Sequence, residues 1–182
     1  LVGLLAWALS DELERLVGVR PEPTQAITES VAPQEVPRIA ATLFYASADG
    51  RALVPVRQEV AFAESLAPQG REILTAQLQG APPPYISVIP EGTMLRAFYV
   101  TERGDAFVDL SFEAASGHLG GSSTELLAVY AIVHAVTANL TAIQRVQILI
   151  DGREADTLAG HVDLRRPLQP DVSLVRGEDS AR

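Results

Sequence analysis

The longest apolar pattern in the chain runs from Ser122 or Ser123 to about Asn139 and predicts a helix. Its apolar residues recur at i, i+3 and i+4, and two further residues widen the stripe. A helix this apolar on one side is expected to lie flat across a sheet. The residues of the stripe are Leu126, Leu127, Val129, Tyr130, Ile132, Val133 and Val136.

Upstream, the pattern changes to strands. "IAATLFYA" (residues 39–46) and "LVPVRQEVAF" (residues 53–62) are rich in strand formers and flank an Asp49-Gly50 turn, so they predict a hairpin. Pro55 places the second strand at a sheet edge, because proline cannot donate a ladder hydrogen bond.

A second helix and a second hairpin follow. Ile73, Leu74 and Leu78 mark one helix face, and Gly80 with the prolines after it ends that helix. "TMLRAFYVTERGDAFVDLSF" (residues 93–112) then alternates as two strands around a tight connection. The alternation places Leu95, Ala97 and Tyr99 on one face of the first strand, and Ala106, Val108 and Leu110 on one face of the return strand.

After the long helix, "RVQILIDGREADTL" gives a strand, an Asp151-Gly152 turn and a short return strand. The element order is therefore ββαββαβ plus a short return strand. This order predicts an α+β fold, a two-layer sandwich with a mostly antiparallel sheet and two main helices packed on one face.

The two ends of the chain differ from this pattern. "LVGLLAWAL" is apolar but far shorter than the roughly 20 residues of a membrane span. It is either the remnant of a membrane anchor or part of a short helix. The proline-rich stretch that follows predicts an extended spacer. The predicted divisions are residues 1–19 (anchor remnant or helix), 20–37 (linker), 38–170 (globular domain) and 171–182 (flexible tail).

Composition excludes some classes of function. The formal charge is −9 and all 14 basic residues are arginine, so general nucleic-acid binding is not expected. The chain has no cysteine, which excludes disulfides, a thiolate metal site and a cysteine nucleophile.

The glycines before the long helix resemble a phosphate-binding loop, but that interpretation fails. Such a loop needs a lysine, and this chain has none. Glu125 lies in the first helical turn, where its carboxylate would repel a phosphate. The spacing Ser122-x-x-Glu125 instead predicts a capping box that stabilises the helix by about 1 kcal/mol.

The histidines and carboxylates predict no metal site and no cofactor. His118, His134 and His161 show no ligand spacing apart from His161-x-Asp163. No G-x-S-x-G elbow surrounds a serine. The carboxylates at turns and strand ends, Asp105 with Asp109 and Asp151 with Glu154, are expected to be solvated.

Residues 117–168 contain a long ordered series of motifs, namely Gly120-Gly121-Ser122, Glu125-Leu126-Leu127, Val129-Tyr130, Ile132-Val133, Val146-Gln147, Leu149-Ile150-Asp151-Gly152, Thr157-Leu158-Ala159-Gly160-His161 and Asp163. This series resembles the GerMN domain, a module of spore germination and sporulation proteins of the GerM type. The upstream strands are similar to those of the same family, so the resemblance covers about residues 38–168.

The resemblance implies a non-enzymatic domain of the cell envelope, tethered outside the cytoplasmic membrane, that acts as a scaffold or protein-interaction module. Its partners would be envelope proteins or further copies of itself. His134 stands where the family commonly carries asparagine, and no lipobox cysteine is present. The candidate interaction residues are Gly120, Gly121, Ser122, Glu125, Tyr130, His134, Asp151, Gly152, His161 and Asp163.

The two functional hypotheses predict different geometries. A scaffold should show an exposed apolar or mixed patch beside the Gly120-Gly121 loop and the Asp151-Gly152 turn, with no deep polar pocket. The alternative, a small-ligand or cell-wall glycan binding module or a cryptic hydrolase, needs His118, His161, Asp163 and Glu125 to converge in an open cleft.

Overall fold

The computed structural model describes residues 36–118 and 121–177. The predictions for residues 1–35, for Gly120 and for the last five residues lie outside these ranges. Within them, no helix is long and apolar enough to cross a bilayer.

The first hairpin is formed as predicted. β1 (Arg38–Ala46) pairs antiparallel with β2 (Leu53–Ala61) along its whole length. At the turn, the Asp49 carboxylate accepts hydrogen bonds from the Ser47 hydroxyl and the Arg51 N–H, and Gly50 adopts a φ of 67°. β2 pairs with β1 alone in this sheet, so Pro55 lies on an edge strand.

The remaining elements follow the predicted order. They are α1 (Leu66–Leu78), β3 (Leu95–Val100), β4 (Asp105–Leu110), the short α2 (Glu113–Ser116), α3 (Ser122–Asn139), β5 (Arg145–Ile150), β6 (Arg153–Glu154) and a 3-10 turn (Val172–Leu174).

The fold class is α+β, as predicted, but the strands form two sheets. β1 and β2 make one, and β3-β4-β5-β6 make the other. β4 and β5 are parallel, while the other pairs are antiparallel. The parallel pair has a simple cause, since the chain passes through α2 and α3 between these strands and returns to the sheet in the same direction.

The inner face of the four-stranded sheet carries a buried row across three strands. Phe98, Val108 and Ile148 occupy matching register positions and are each no more than 4% exposed. α1 lies so close to this row that a Cβ atom at Gly70 would clash with the Phe98 ring. The predicted face of β4 is correct, as Ala106, Val108 and Leu110 are fully buried.

β3 differs from its prediction in detail. Tyr99 is 60% exposed and Phe98 is the aromatic residue in the core. The pairing with β4 shifts between Leu95 and Ala97, so simple alternation does not continue through this strand.

The outer edge of β1 is closed by side chains from both long helices. Asn139 of α3 accepts from the Thr42 N–H (2.8 Å) and donates to the Thr42 carbonyl (2.7 Å). Gln77 of α1 makes the same pair of bonds to Phe44 (2.9 and 2.7 Å). Ala46 then exchanges two backbone hydrogen bonds with Ile86. The helix amides therefore take the place of a neighbouring strand.

Candidate functional site

Glu125 is the centre of the most elaborate polar arrangement among the described residues. It lies in the first turn of α3 and is completely buried. Its Oε1 accepts the backbone N–H groups of Leu158 (3.1 Å), Ala159 (2.8 Å) and Val162 (3.1 Å). Its Oε2 accepts the His161 N–H and pairs with His161 Nδ1, both at 2.9 Å. One carboxylate thus anchors the loop at residues 158–162, which we call the Glu125-bound loop.

These five donors keep the buried carboxylate ionised. Burial alone would raise the pKa of Glu125, but the backbone N–H groups of Ala159, Val162 and His161, together with the His161 ring, hold the pKa below its ordinary value of 4.5. A sealed carboxylate with this many donors has little capacity left to accept a proton from a substrate. The arrangement therefore serves to fix the Glu125-bound loop to α3.

The capping box predicted from Ser122 and Glu125 is wrong. The residue that precedes the helix is Gly121, and no side chain of the described residues caps the helix N-terminus. Glu125 does not bond back to the start of the helix, because its carboxylate is occupied by a loop more than 30 residues later. Gly121 adopts a φ of 100°, which explains why a glycine stands at this turn into the helix.

The four side chains required for the alternative function do not all converge in an open cleft, although the buried Glu125 bonds to His161 and lies near His118. Asp163 is exposed and pairs with its neighbour Arg165, whose hydrogen bonds lower the pKa of the Asp163 carboxyl. The His161 side chain is about half exposed and bonds to Glu125. His118 has no hydrogen-bond partner among the described residues. Within the same residues, no group of histidine and acidic side chains has the geometry to hold a metal ion.

His134 and Tyr130 meet the C-terminal segment. His134 is 5% exposed, and its Nε2 lies 3.0 Å from the backbone carbonyl of Asp171. Its ring stacks at a tilt against Phe44 (5.1 Å between centroids) and lies 6.3 Å from Tyr130. Burial lowers the pKa of His134, although Asp171 acts in the opposite direction. A neutral His134 thus donates from Nε2 and holds this segment against α3.

The Asp151-Gly152 turn is held by β3 and β4. Both residues have positive φ angles, 49° and 75°. The Asp109 carboxylate accepts the Gly152 N–H at 2.7 Å. Arg96 bridges Asp109 (3.4 Å) and Asp151 (3.3 Å). The predicted turn is therefore correct, and its position relative to the sheet is set by an arginine between two carboxylates.

The expectation that the turn carboxylates are solvated holds for the exposed Asp151 and Glu154 but is wrong for Asp109 and Asp105. Asp109 is only 6% exposed and is bonded on both oxygens. Asp105 forms a two-point ion pair with Arg145 of the neighbouring parallel strand, at 2.6 and 3.0 Å. Strand pairing brings these partners together from 40 residues apart, which local spacing does not reveal.

Sequence reasoning missed the role of Glu125, although the sequence carries a signal. Ala128, Val129 and Ile132 lie three, four and seven residues beyond Glu125 and are all buried. A carboxylate on this line of a helix must be buried as well and needs donors. The same signal marks Gln77, which follows the buried Ile73 and Leu74 on α1.

The outer face of the four-stranded sheet carries an exposed aromatic row. Tyr99 and Phe107 are register partners on β3 and β4, so their side chains lie on the same face, opposite Phe98 and Val108. Tyr99 is 60% exposed and Phe107 is half-buried. Ala97 and Asp109 form the next register pair, and Arg96 links Asp109 to the Asp151-Gly152 turn. We call Tyr99 and Phe107 the aromatic row.

Solved structures that share this fold include the following three. A candidate lipoprotein from Clostridium perfringens aligns with a TM-score of 0.53 and 22% identity over 77% of this chain and 93% of that chain. The tandem GerMN domains of the sporulation protein GerM from Bacillus subtilis align with a TM-score of 0.55 and 16% identity over 74% of this chain and 46% of that one. The first GerMN domain of the same protein gives 0.52 and 18% identity, over 73% and 96% of the two chains.

The sequence itself identifies the family. No protein in the curated set matches it significantly. The family model Germane, described as sporulation and spore germination, matches residues 42–156, a stretch that includes both long helices and strands β3 to β6. Since the match covers more than half of the chain, the protein belongs to the Germane family.

Proposed function

We propose that this Germane domain is a non-enzymatic protein-interaction module that works outside the cytoplasmic membrane, with envelope proteins or further copies of itself as partners. The observation that carries the proposal is the aromatic row on the outer face of the four-stranded sheet. Aromatic side chains and arginine are enriched in the energetically important parts of protein interfaces.

The surroundings of the aromatic row support this function. Tyr99 and Phe107 supply apolar area on rigid paired strands, so little conformational entropy is lost when a partner binds. Arg96 and Asp151 are about half exposed in their side chains and provide a charged margin close to the row. These residues form a mixed patch beside the Asp151-Gly152 turn, which supports the proposal, while the predicted patch beside the Gly120-Gly121 loop involves Gly120, outside the described residues.

The use of the polar residues supports a non-enzymatic role. Glu125 is sealed under backbone donors, and Asp163 is paired with Arg165. The His161 ring bonds to Glu125. Three of the four groups that the alternative function requires, Glu125, His161 and Asp163, are therefore engaged within the domain, whereas His118 has no hydrogen-bond partner among the described residues.

The envelope location is supported by two observations. A candidate lipoprotein is among the structures of the same fold. In the sequence, an apolar stretch and a proline-rich stretch precede the domain. An apolar end, a spacer and a globular unit together form the usual layout of a tethered domain.

Site-specific crosslinking tests the proposed function. A photoreactive amino acid at position 99 of the full chain should give a discrete adduct when its own cells are irradiated. The control is the same substitution at Phe112, an equally exposed aromatic residue outside the row, at 58% against 60%. Mass spectrometry of the adduct distinguishes a second copy from another envelope protein.

The outcome is decisive in both directions. An adduct from position 99 that is absent or much weaker from position 112 supports an interface at the aromatic row. Equal adducts from both positions, or none from position 99, would show that the row is not a docking surface.

A further inference from the structure

A cavity among the described residues shares no lining residue with the aromatic row. It has a volume of about 620 Å³ and is bounded by the end of α1, the segment at residues 87–92, His118 and Thr124. This volume falls within the range of about 300–1,000 Å³ that is usual for small-molecule sites.

The His118 imidazole forms part of the cavity wall and lacks partners. Both ring nitrogens are buried, and neither has a hydrogen-bond partner among the described residues. A buried polar atom without a partner destabilises the folded state by about 1–3 kcal/mol. A molecule that entered the cavity and bonded to this ring would recover that free energy.

The protonation state of His118 limits what it can bind. Burial lowers the pKa of His118, and the nearby Glu125 charge only partly opposes this. The ring is therefore neutral at pH 7 and offers one donor and one acceptor. A group that itself both donates and accepts, such as a hydroxyl or an amide, matches it.

The rest of the lining points to an uncharged ligand with an apolar body. Leu78, Val88 and Ile89 supply apolar wall, and Ser87 and Thr124 lie beside them. Among the described residues, the lining contains no arginine and one carboxylate, Glu91, so none of them would neutralise an anion. The net charge of −9 further disfavours anions.

We propose that this cavity binds a small uncharged organic molecule through a hydroxyl or amide group that hydrogen-bonds the His118 imidazole. Because both ring nitrogens are buried in the structure, this bond requires the ring to turn about the Cβ–Cγ bond, a torsion that is broad for histidine. The site uses neither His161 nor Asp163, and it does not depend on the aromatic row or on any protein partner.

Imidazole NMR on the intact protein tests the proposal, because the chain has only three histidines. The probes are benzamide, benzyl alcohol, benzoate and benzylamine, which share a ring and differ in charge. Benzamide and benzyl alcohol should shift the ¹⁵N signals of His118 while those of His134 stay in place. Benzoate should leave the His118 signals unchanged.

A substitution separates binding through the ring nitrogens from binding to the apolar wall. H118F keeps an aromatic ring and removes both nitrogens, so benzamide should bind it about tenfold more weakly, as followed by backbone amide shifts at residues 87–92. Equal affinity for the variant would overturn the proposal.

The unmodified protein decides the matter even if H118F does not fold. The proposal is wrong if no probe shifts the His118 signals up to its solubility limit. It is also wrong if benzoate or benzylamine shifts them as strongly as benzamide does.

Discussion

At the scale of single residues, the polar side chains that invite a chemical interpretation bind the protein's own backbone. Glu125 accepts four main-chain N–H groups, and Asp109 accepts one at the Asp151-Gly152 turn. Gln77 and Asn139 each satisfy both backbone groups of one β1 residue. Buried polar side chains are stable only when such partners exist.

The first prediction contrasts Glu125 with Ser122. E125Q replaces an acceptor-only carboxylate by an amide whose NH2 group faces backbone donors, so the free energy of unfolding should fall by roughly 3 kcal/mol. S122A should change it by less than about 0.5 kcal/mol, because no side chain caps this helix. Urea denaturation of both variants measures the difference. A loss of about 1 kcal/mol in S122A would show that the Ser122 side chain does cap the helix.

The second prediction concerns pH. Because the pKa of Glu125 is lower in the folded protein than its ordinary value of 4.5, its stabilisation is complete above that value. The stabilisation is lost as the pH falls through the folded pKa, where the carboxylate takes up a proton. The difference in unfolding free energy between wild type and E125Q should therefore be constant from pH 7 to about pH 5 and shrink below. A difference that does not depend on pH would show that Glu125 is not bound as a carboxylate.

At the scale of elements, periodicity predicts what a segment forms but not what it pairs with. The apolar stripe predicts α3 at Ser122 to Asn139, which are the bounds observed. The parallel pairing of β4 with β5 and the split into two sheets depend on how distant segments meet. The same is true of Glu125, whose donors lie 33 to 37 residues away. The pattern of residue types along one segment therefore predicts which of its residues are buried, but it does not predict which distant segments they contact.

The third prediction tests the closure of β1 by helix amides. Q77L replaces the amide by an apolar side chain of similar size and leaves the Phe44 N–H and carbonyl unpaired. The free energy of unfolding should therefore fall by about 2–4 kcal/mol. The control is Q79L, at an exposed glutamine two residues later, which should change it by less than about 0.5 kcal/mol. Thermal and urea unfolding measure both. Similar losses in the two variants would mean that the bonds to Phe44 contribute little.

At the scale of the whole domain, the C-terminal segment joins α3 to the first hairpin. The Asp171 carbonyl bonds to His134, and five residues later the Arg176 N–H donates to the Leu53 carbonyl at 2.8 Å. Arg176 also pairs with Asp49 at the hairpin turn. The C-terminal segment therefore connects α3 with the first hairpin of the domain.

The fourth prediction follows from this segment. Ending the chain after Pro170 uncovers His134, so its pKa should rise towards the ordinary 6.5, because burial is the main cause of the lowered value. NMR titration of the imidazole measures it. D171A is the matched control, since the bond to His134 uses the backbone carbonyl of Asp171 and survives the substitution. An unchanged pKa in the shortened chain would mean that the segment does not bury His134.

The closure of β1 also determines which amide protons can report on the helices. The N–H groups of Thr42 and Phe44 are bonded to side chains of α3 and α1. The N–H group of Leu43, which lies between them, points towards β2. Hydrogen exchange at Thr42 and Phe44 therefore requires a helix to detach, while exchange at Leu43 requires the strands to separate. Three consecutive residues thus distinguish loosening of α3, loosening of α1 and opening of the hairpin.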